Sequence, residues 1–301
     1  MSRTTQRWIL AALLAACGVP CRAASSAAIH DGFVTTPSGL RIHYLESGAT
    51  ASPRAVVLLP AWRLPAFLWE EQLRALASTS RAVAIDPRSQ GDSTIAPEGN
   101  TPERRAEDLH EVLDTLHIAS PILVGWSQGV QDVAAYLARY GPESVAGVVF
   151  VESPVLAGPA EVELHPQWVK FMLSGVPMYM AKPEEYSRLM VKYLFKKPHP
   201  ELDLERILAA SLKTPVDTGV AMLIVDILGV DRRPALAKLT KPTLVVASGG
   251  SPLLQAQKDM AAALPNARLL VLEETGMAVF LDEPARFTAA VVELVVGLPA
   301  P

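Results

Sequence analysis

The chain reads as an α/β domain: a mostly parallel sheet of eight strands, helices on both faces, and a helical cap above one edge of the strands. Three observations carry this. Short runs of β-branched and apolar residues alternate with stretches of helical periodicity, and that order needs crossovers, hence a parallel sheet covered on both faces. One junction is explicit. Pro121-Ile122-Leu123-Val124 has strand character, Gly125-Trp126-Ser127-Gln128-Gly129 follows, and Val130, Val133, Ala134, Leu137 and Tyr140 then recur at helical spacing. Between about 155 and 235 the strand signal stops while the helical signal continues.

Taken in order, the chain begins with Arg3 and Arg7 before an apolar run from Trp8 to Ala16, too short to span a bilayer. A charged stretch followed by a short apolar one reads as an export signal over residues 1–23. Leu14-Ala15-Ala16-Cys17 looks like the lipobox of bacterial lipoproteins, with Cys17 as the lipidated residue; cleavage after Ala23 is the alternative. The expectation is an exported protein: an outer-membrane lipoprotein, or a periplasmic or secreted one. Residues 24–31 read as a tether, and 32–301 as one domain.

Within that domain, strands are expected at 32–36, 40–46, 55–59, 82–86, 121–124, 145–151, 243–247 and 269–272. A helix is expected around Trp69, Leu73 and Leu76. Thr101-Pro102-Glu103 is a helix start: an N-cap hydroxyl, a proline at the first helical position and an acid in the first turn. Tyr140-Gly141-Pro142 stops the helix after Ser127, and a last helix runs from Pro284 to about Val296. The insertion at 155–235 is rich in Met172, Met178, Met180, Met190 and Met222 and in Trp168, Phe171, Tyr179, Tyr186, Tyr193 and Phe195. Most of these belong to its own core; a share is expected to line an adaptable apolar pocket.

Composition narrows function by exclusion. The net charge is -4 with no basic block, which argues against nucleic acid. The two cysteines, Cys17 and Cys21, both lie in the leader, so the domain has neither a disulfide framework nor a thiol nucleophile. No metal-ligand spacing, G-x-G-x-x-G or P-loop is present, so no metal or cofactor is expected.

Strand, G-x-S-x-G and helix form the context of a nucleophile elbow. Ser127 is the nucleophile candidate. The N–H of Gln128, at a helix N-terminus, is an oxyanion donor candidate. On these residues the chain resembles the α/β-hydrolase family from about Gly32 onward. Asp86-Pro87-Arg88-Ser89-Gln90-Gly91-Asp92-Ser93 is similar to the family's D-x-R-G-x-G-x-S loop. Lys241-Pro242-Thr243-Leu244-Val245-Val246 resembles the strand after the cap, and Leu281-Asp282-Glu283-Pro284 the start of the last helix.

The resemblance implies a Ser–acid–His triad, because a serine hydroxyl needs a general base within hydrogen-bond reach. Here the chain departs from the family. The usual histidine falls at Met277, whose thioether cannot shuttle a proton. The usual acid falls at Ser251, and no histidine follows His199. The common His-Gly of the oxyanion loop reads Pro60-Ala61, which still leaves the backbone N–H of Trp62 as a donor. Glu152, after the strand that follows the elbow, is a candidate acid or a surface carboxylate. His165 and His199 are the histidines that the cap would suspend over Ser127. His110 and His117 read as surface, His43 as structural, and His30 as part of the tether.

Two functions are therefore expected from the resemblance. One is a hydrolase of small carboxylic esters or related acyl compounds, with Ser127, Trp62 and Gln128 in the roles given and an incomplete triad. The other is a non-catalytic descendant that binds a ligand or partner. The expected partner is a small apolar ester or acyl compound, with membrane contact only through a lipid anchor at Cys17.

Overall fold

The computed structural model describes residues 27–299. The leader, Cys17, and the tether before residue 27 lie outside the described residues. The strands are β1 (His30–Thr35), β2 (Arg41–Ser47), β3 (Ala55–Leu59), β4 (Arg81–Ile85), β5 (Ile122–Trp126), β6 (Gly147–Val151), β7 (Thr243–Ser248) and β8 (Ala267–Leu272). They form one sheet in the order β1-β2-β4-β3-β5-β6-β7-β8. β2 runs antiparallel to β1 and β4; every other pair is parallel.

The sheet begins earlier than expected. His30 pairs with Glu46 at the start of β1, so the tether does not extend to residue 31. His30 is exposed and contributes only its backbone, which is why no apolar alternation marks it. β8 likewise starts at Ala267, before its apolar run, because Arg268 is exposed.

Strands β3 to β7 are buried along their whole length. Their alternate residues feed two cores. Val56 and Leu58 pack with Leu73, Leu76, Phe287 and Val291 on one face. Val57 and Leu59 pack with Leu109, Val112, Val133, Leu137 and Met260 on the other. This is the period-two side-chain alternation of a strand sandwiched between helices. The helix Pro102–Thr115 starts as its sequence dictates, with the Thr101 hydroxyl accepting from Arg104 N–H at 3.3 Å.

Seven helices between Glu161 and Leu236 make the cap. Its own core is Val169, Tyr179, Met222, Leu223 and Ile227, joined by Trp62 from the loop after β3. The Trp62 indole donates to the Gly219 carbonyl at 2.9 Å and so links that loop to the cap. A buried ion cluster makes a second link. Arg105 donates to Asp132 on the helix Gln128–Tyr140 and to Asp226 on the cap helix Val216–Leu228, at 2.8 and 2.5 Å. The expectation for the cap's apolar residues needs correction. Met222 and Tyr179 are buried, but Phe171 (67% exposed), Met180 (62%) and Tyr193 (76%) face outward. Among the described residues no single helix is long and apolar enough to cross a membrane.

Candidate active site

Ser127 sits between β5 and the helix Gln128–Tyr140 with φ 52° and ψ -106°. A serine there carries about 1–3 kcal/mol of backbone strain. Its surroundings hold it: Ser127 N–H donates to the Val151 carbonyl at 2.8 Å, and its own carbonyl accepts from Val130 N–H at 3.0 Å. Both flanking glycines are needed. A Cβ on Gly125 would run into the Gly129 carbonyl, and one on Gly129 would lie 2.8 Å from the Leu59 oxygen and 3.1 Å from that of Pro60. The helix therefore starts directly against the β3 loop, and Trp62 and Gln128 come from adjoining segments. Among the described residues neither backbone N–H has a protein acceptor. The next N–H, that of Arg63, is engaged by the Gln90 side-chain carbonyl at 2.5 Å, which also accepts from the Gln128 amide at 3.4 Å.

No imidazole completes the group. His43 is buried between Asp86 (2.7 Å) and Asp31 (3.3 Å). His110 stacks on Tyr140 at 4.1 Å, and His30 and His117 are exposed. The two cap histidines do not reach in. His165 bonds Glu161 at 2.6 Å and lines a cleft of about 500 Å³ with Val155, Leu164 and Met260, to which no elbow residue contributes. His199 has both ring nitrogens occupied, by Glu201 at 2.7 Å and by Asp282 at 2.9 Å. Burial works against its charge, but those two carboxylates outweigh it and raise its pKa. A ring so engaged has no lone pair for the serine proton. Among the described residues no histidine hydrogen-bonds Ser127.

Met277 is half-buried on the core beside the elbow, and its carbonyl accepts from the Trp126 indole at 2.9 Å. Its loop is fixed by Asp282, which sequence reading noticed only as a landmark. Asp282 accepts from the N–H groups of Gly276 (2.6 Å), Lys196 (3.0 Å) and Lys197 (3.1 Å). The position that usually carries the base is thus rigidly built, but built around a thioether.

Glu152 is not on the surface. Trp126 pairs with Val151, so Ser127 and Glu152 leave neighbouring strand ends, both with positive φ. The Glu152 carboxylate accepts from Ser248 N–H, and the side chains of Ser251 and Gln257, themselves joined at 3.1 Å, lie close to it. Ser251, where the acid is usual, therefore meets Glu152, and neither meets an imidazole. Burial pushes the Glu152 carboxyl up to about 7, against the Ser248 N–H and the neighbouring Ser251 and Gln257 side chains, which lower it. Its folded pKa lies above the unfolded one, so its contribution to stability is full at low pH and is lost as pH rises through about 7. Glu152→Gln is expected to flatten this slope: its Tm should fall less than that of the native chain between pH 5.5 and 8. Parallel slopes would show that the carboxyl titrates normally.

Sequence spacing offered no metal set, yet the fold brings donor atoms of His43, Asp86 and Asp92 within 4.8 Å of one another. Asp86 is already committed: it accepts from Ala66 N–H (2.6 Å), His43 (2.7 Å) and Asp92 N–H (3.0 Å), and Asp92 pairs with Lys213. The arrangement fastens the loop after β4. Arg63 and Gln90 are the residues that sequence reasoning missed. A lone arginine after a strand reads as surface, and nothing in its spacing announces burial.

A strained serine at a strand-to-helix turn, two N–H groups beside it without acceptors and a cap over the strand ends give this chain the architecture of an α/β hydrolase. Residues 54–284 match the family model described as alpha/beta hydrolase fold, and the chain belongs to that family. It is 33% identical over 123 residues to a bifunctional esterase/perhydrolase of Acinetobacter calcoaceticus, covering 40% of this chain and 44% of that protein. It is 31% identical over 120 residues to a non-heme chloroperoxidase of Kitasatospora aureofaciens, covering 40% and 42%. The chain thus spans under half the length of either relative. An esterase structure from Exiguobacterium antarcticum superposes with a TM-score of 0.76 at 22% identity, over 89% of this chain and all of that one; this likeness is one of fold.

Proposed function

We propose that small carboxylic esters or related acyl compounds bind at Ser127, and that the chain holds them with, at most, residual turnover. One observation carries this: all six histidines are engaged elsewhere or exposed, while Ser127 keeps the strained turn and the N–H groups of Trp62 and Gln128 have no acceptor among the described residues. In a serine protease, loss of the base costs about as much as loss of the whole triad, on the order of a million-fold. The oxyanion hole and binding then leave roughly a thousand- to ten-thousand-fold over water. The name of one relative, a bifunctional esterase/perhydrolase, supports an ester or acyl ligand. The leader adds a location: export, with a lipid anchor at Cys17 or release into the periplasm or medium.

A second reading has its own observation. A buried carboxyl near pH 7 beside Ser127 has the acidity of a general base, and Glu152 would then stand in for histidine. A fluorophosphonate probe separates the two. Binding without turnover predicts no stoichiometric labelling of Ser127 at any pH from 6 to 9. Labelling that rises through about pH 7 and vanishes in Glu152→Gln would establish the second reading instead.

A further inference from the structure

Arg63 is fully enclosed, at 0% exposure. Its Nη2 donates to the Ser187 hydroxyl at 2.6 Å and to the Ser211 carbonyl at 3.2 Å. Nε and Nη1 have no partner, and among the described residues no carboxylate lies within ion-pair distance of it. The groups that do surround it are aromatic: its guanidinium carbon lies 4.1 Å from the Tyr179 ring and 4.8 Å from that of Trp62. Tyr179, 1% exposed, has an unpartnered hydroxyl as well. Gly219 makes room here, since a Cβ on it would meet that hydroxyl and lie 3.1 Å from Arg63 Cδ.

A buried guanidinium normally has a carboxylate, because an unpaired interior charge is strongly unfavourable. Two aromatic faces return only part of that. Its location suggests why the cost is tolerated. Arg63 follows Trp62, a candidate oxyanion donor, and its N–H shares the Gln90 side-chain carbonyl with the side-chain amide of Gln128. Its side chain runs from that loop into the cap, between the helices Pro183–Tyr193 and Leu204–Leu212 that carry Ser187 and Ser211.

We propose that Arg63 and Tyr179 form a carboxylate-binding subsite, and that the ligand bound at Ser127 is a small ester or acyl compound bearing a free carboxylate. The inference rests on the ester-binding reading and deepens it by assigning the ligand's charge. With Nη2 engaged by Ser187 and Ser211, a carboxylate takes one charge-assisted hydrogen bond from a free guanidinium N–H, at Nε or Nη1, and a second from the tyrosine hydroxyl. Because Arg63 is fully enclosed, the proposal requires the two cap helices to part from the Trp62 loop to admit it.

Calorimetric titration of the whole chain with monomethyl glutarate, dimethyl glutarate and glutarate tests this. The native chain should bind monomethyl glutarate at least tenfold more tightly than the neutral diester, the scale of one charge-assisted contact. Arg63→Met should erase that preference while its Tm holds or rises, since the variant removes an unpaired buried charge. Tyr179→Phe, which keeps the packing, should reduce the preference severalfold. The subsite is overturned if native affinities for half-ester and diester are equal, if the preference survives Arg63→Met, or if Arg63→Met lowers Tm by several degrees and Tyr179→Phe leaves the preference intact. If only the diester binds, the ester reading stands and the subsite falls. If only glutarate binds, and does so through Arg63, the subsite stands and the ester reading falls.

Discussion

Met277→His should raise kcat/KM for 4-nitrophenyl acetate by about a hundredfold or more over the native chain, since a positioned general base contributes about 10²- to 10⁴-fold. The loop that carries residue 277 is already fixed, by the Trp126 indole on its carbonyl and by Asp282 on Gly276. The swap is made at a half-buried site against the core, so it costs little packing. A histidine there still needs an acid to orient it. Glu152 is the nearby buried carboxylate: it accepts from Ser248 N–H, and the Ser248 hydroxyl donates to the Thr275 carbonyl, two residues before position 277. Adding Glu152→Gln to Met277→His should therefore remove most of the gain, because an imidazole without its acid loses its tautomer and orientation. Steady-state kinetics on the three proteins checks both steps. A correctly folded Met277→His with no gain would mean that the elbow is closed to esters.

The largest expected loss of stability is at Arg105. Its side chain is 1% exposed and serves two carboxylates, Asp132 and Asp226, each with one oxygen already unpartnered. Arg105→Ala strands both and should cost about 3–5 kcal/mol in urea denaturation. The pH dependence has a definite sign. Burial already pushes the Asp132 carboxyl up to about 7 and raises that of Asp226. Without the guanidinium both rise further, so the folded state holds protons that the unfolded chain has released. Stability from such groups is present at low pH and lost as pH rises. The deficit of Arg105→Ala should thus be larger at pH 8 than at pH 5.5. Replacing all three residues by apolar ones of similar volume should be far milder. A single-variant loss under about 1 kcal/mol, or one independent of pH, would contradict the assignment of this cluster as the tie between cap and elbow.

What was legible in the sequence follows from which interactions are local. Strands β3 to β7 are continuous apolar runs because both their faces are buried, and they were read with small errors at the ends. The elbow was legible because Gly125 and Gly129 answer a steric demand within five residues. The meeting of Glu152 with Ser251 was not, since it depends on the β6–β7 register across the whole cap. The cap's helices were visible from their periodicity, but not which apolar residues face inward: Met222 is buried while Met180 is 62% exposed. Arg63 was invisible for the same reason, because its enclosure comes from Tyr179, Ser187 and Ser211, over a hundred residues away in the chain.

The central claim is that Ser127 is present without a base to activate it. The direct measurement is ester turnover by the native chain beside Ser127→Ala, on the same substrate and at the same pH. When the base is missing, the serine adds almost nothing beyond the oxyanion hole and binding. The two proteins are therefore expected to agree within about tenfold, a difference of 1.4 kcal/mol in barrier. A native rate about a thousandfold or more above that of Ser127→Ala would show an activated serine and contradict the account.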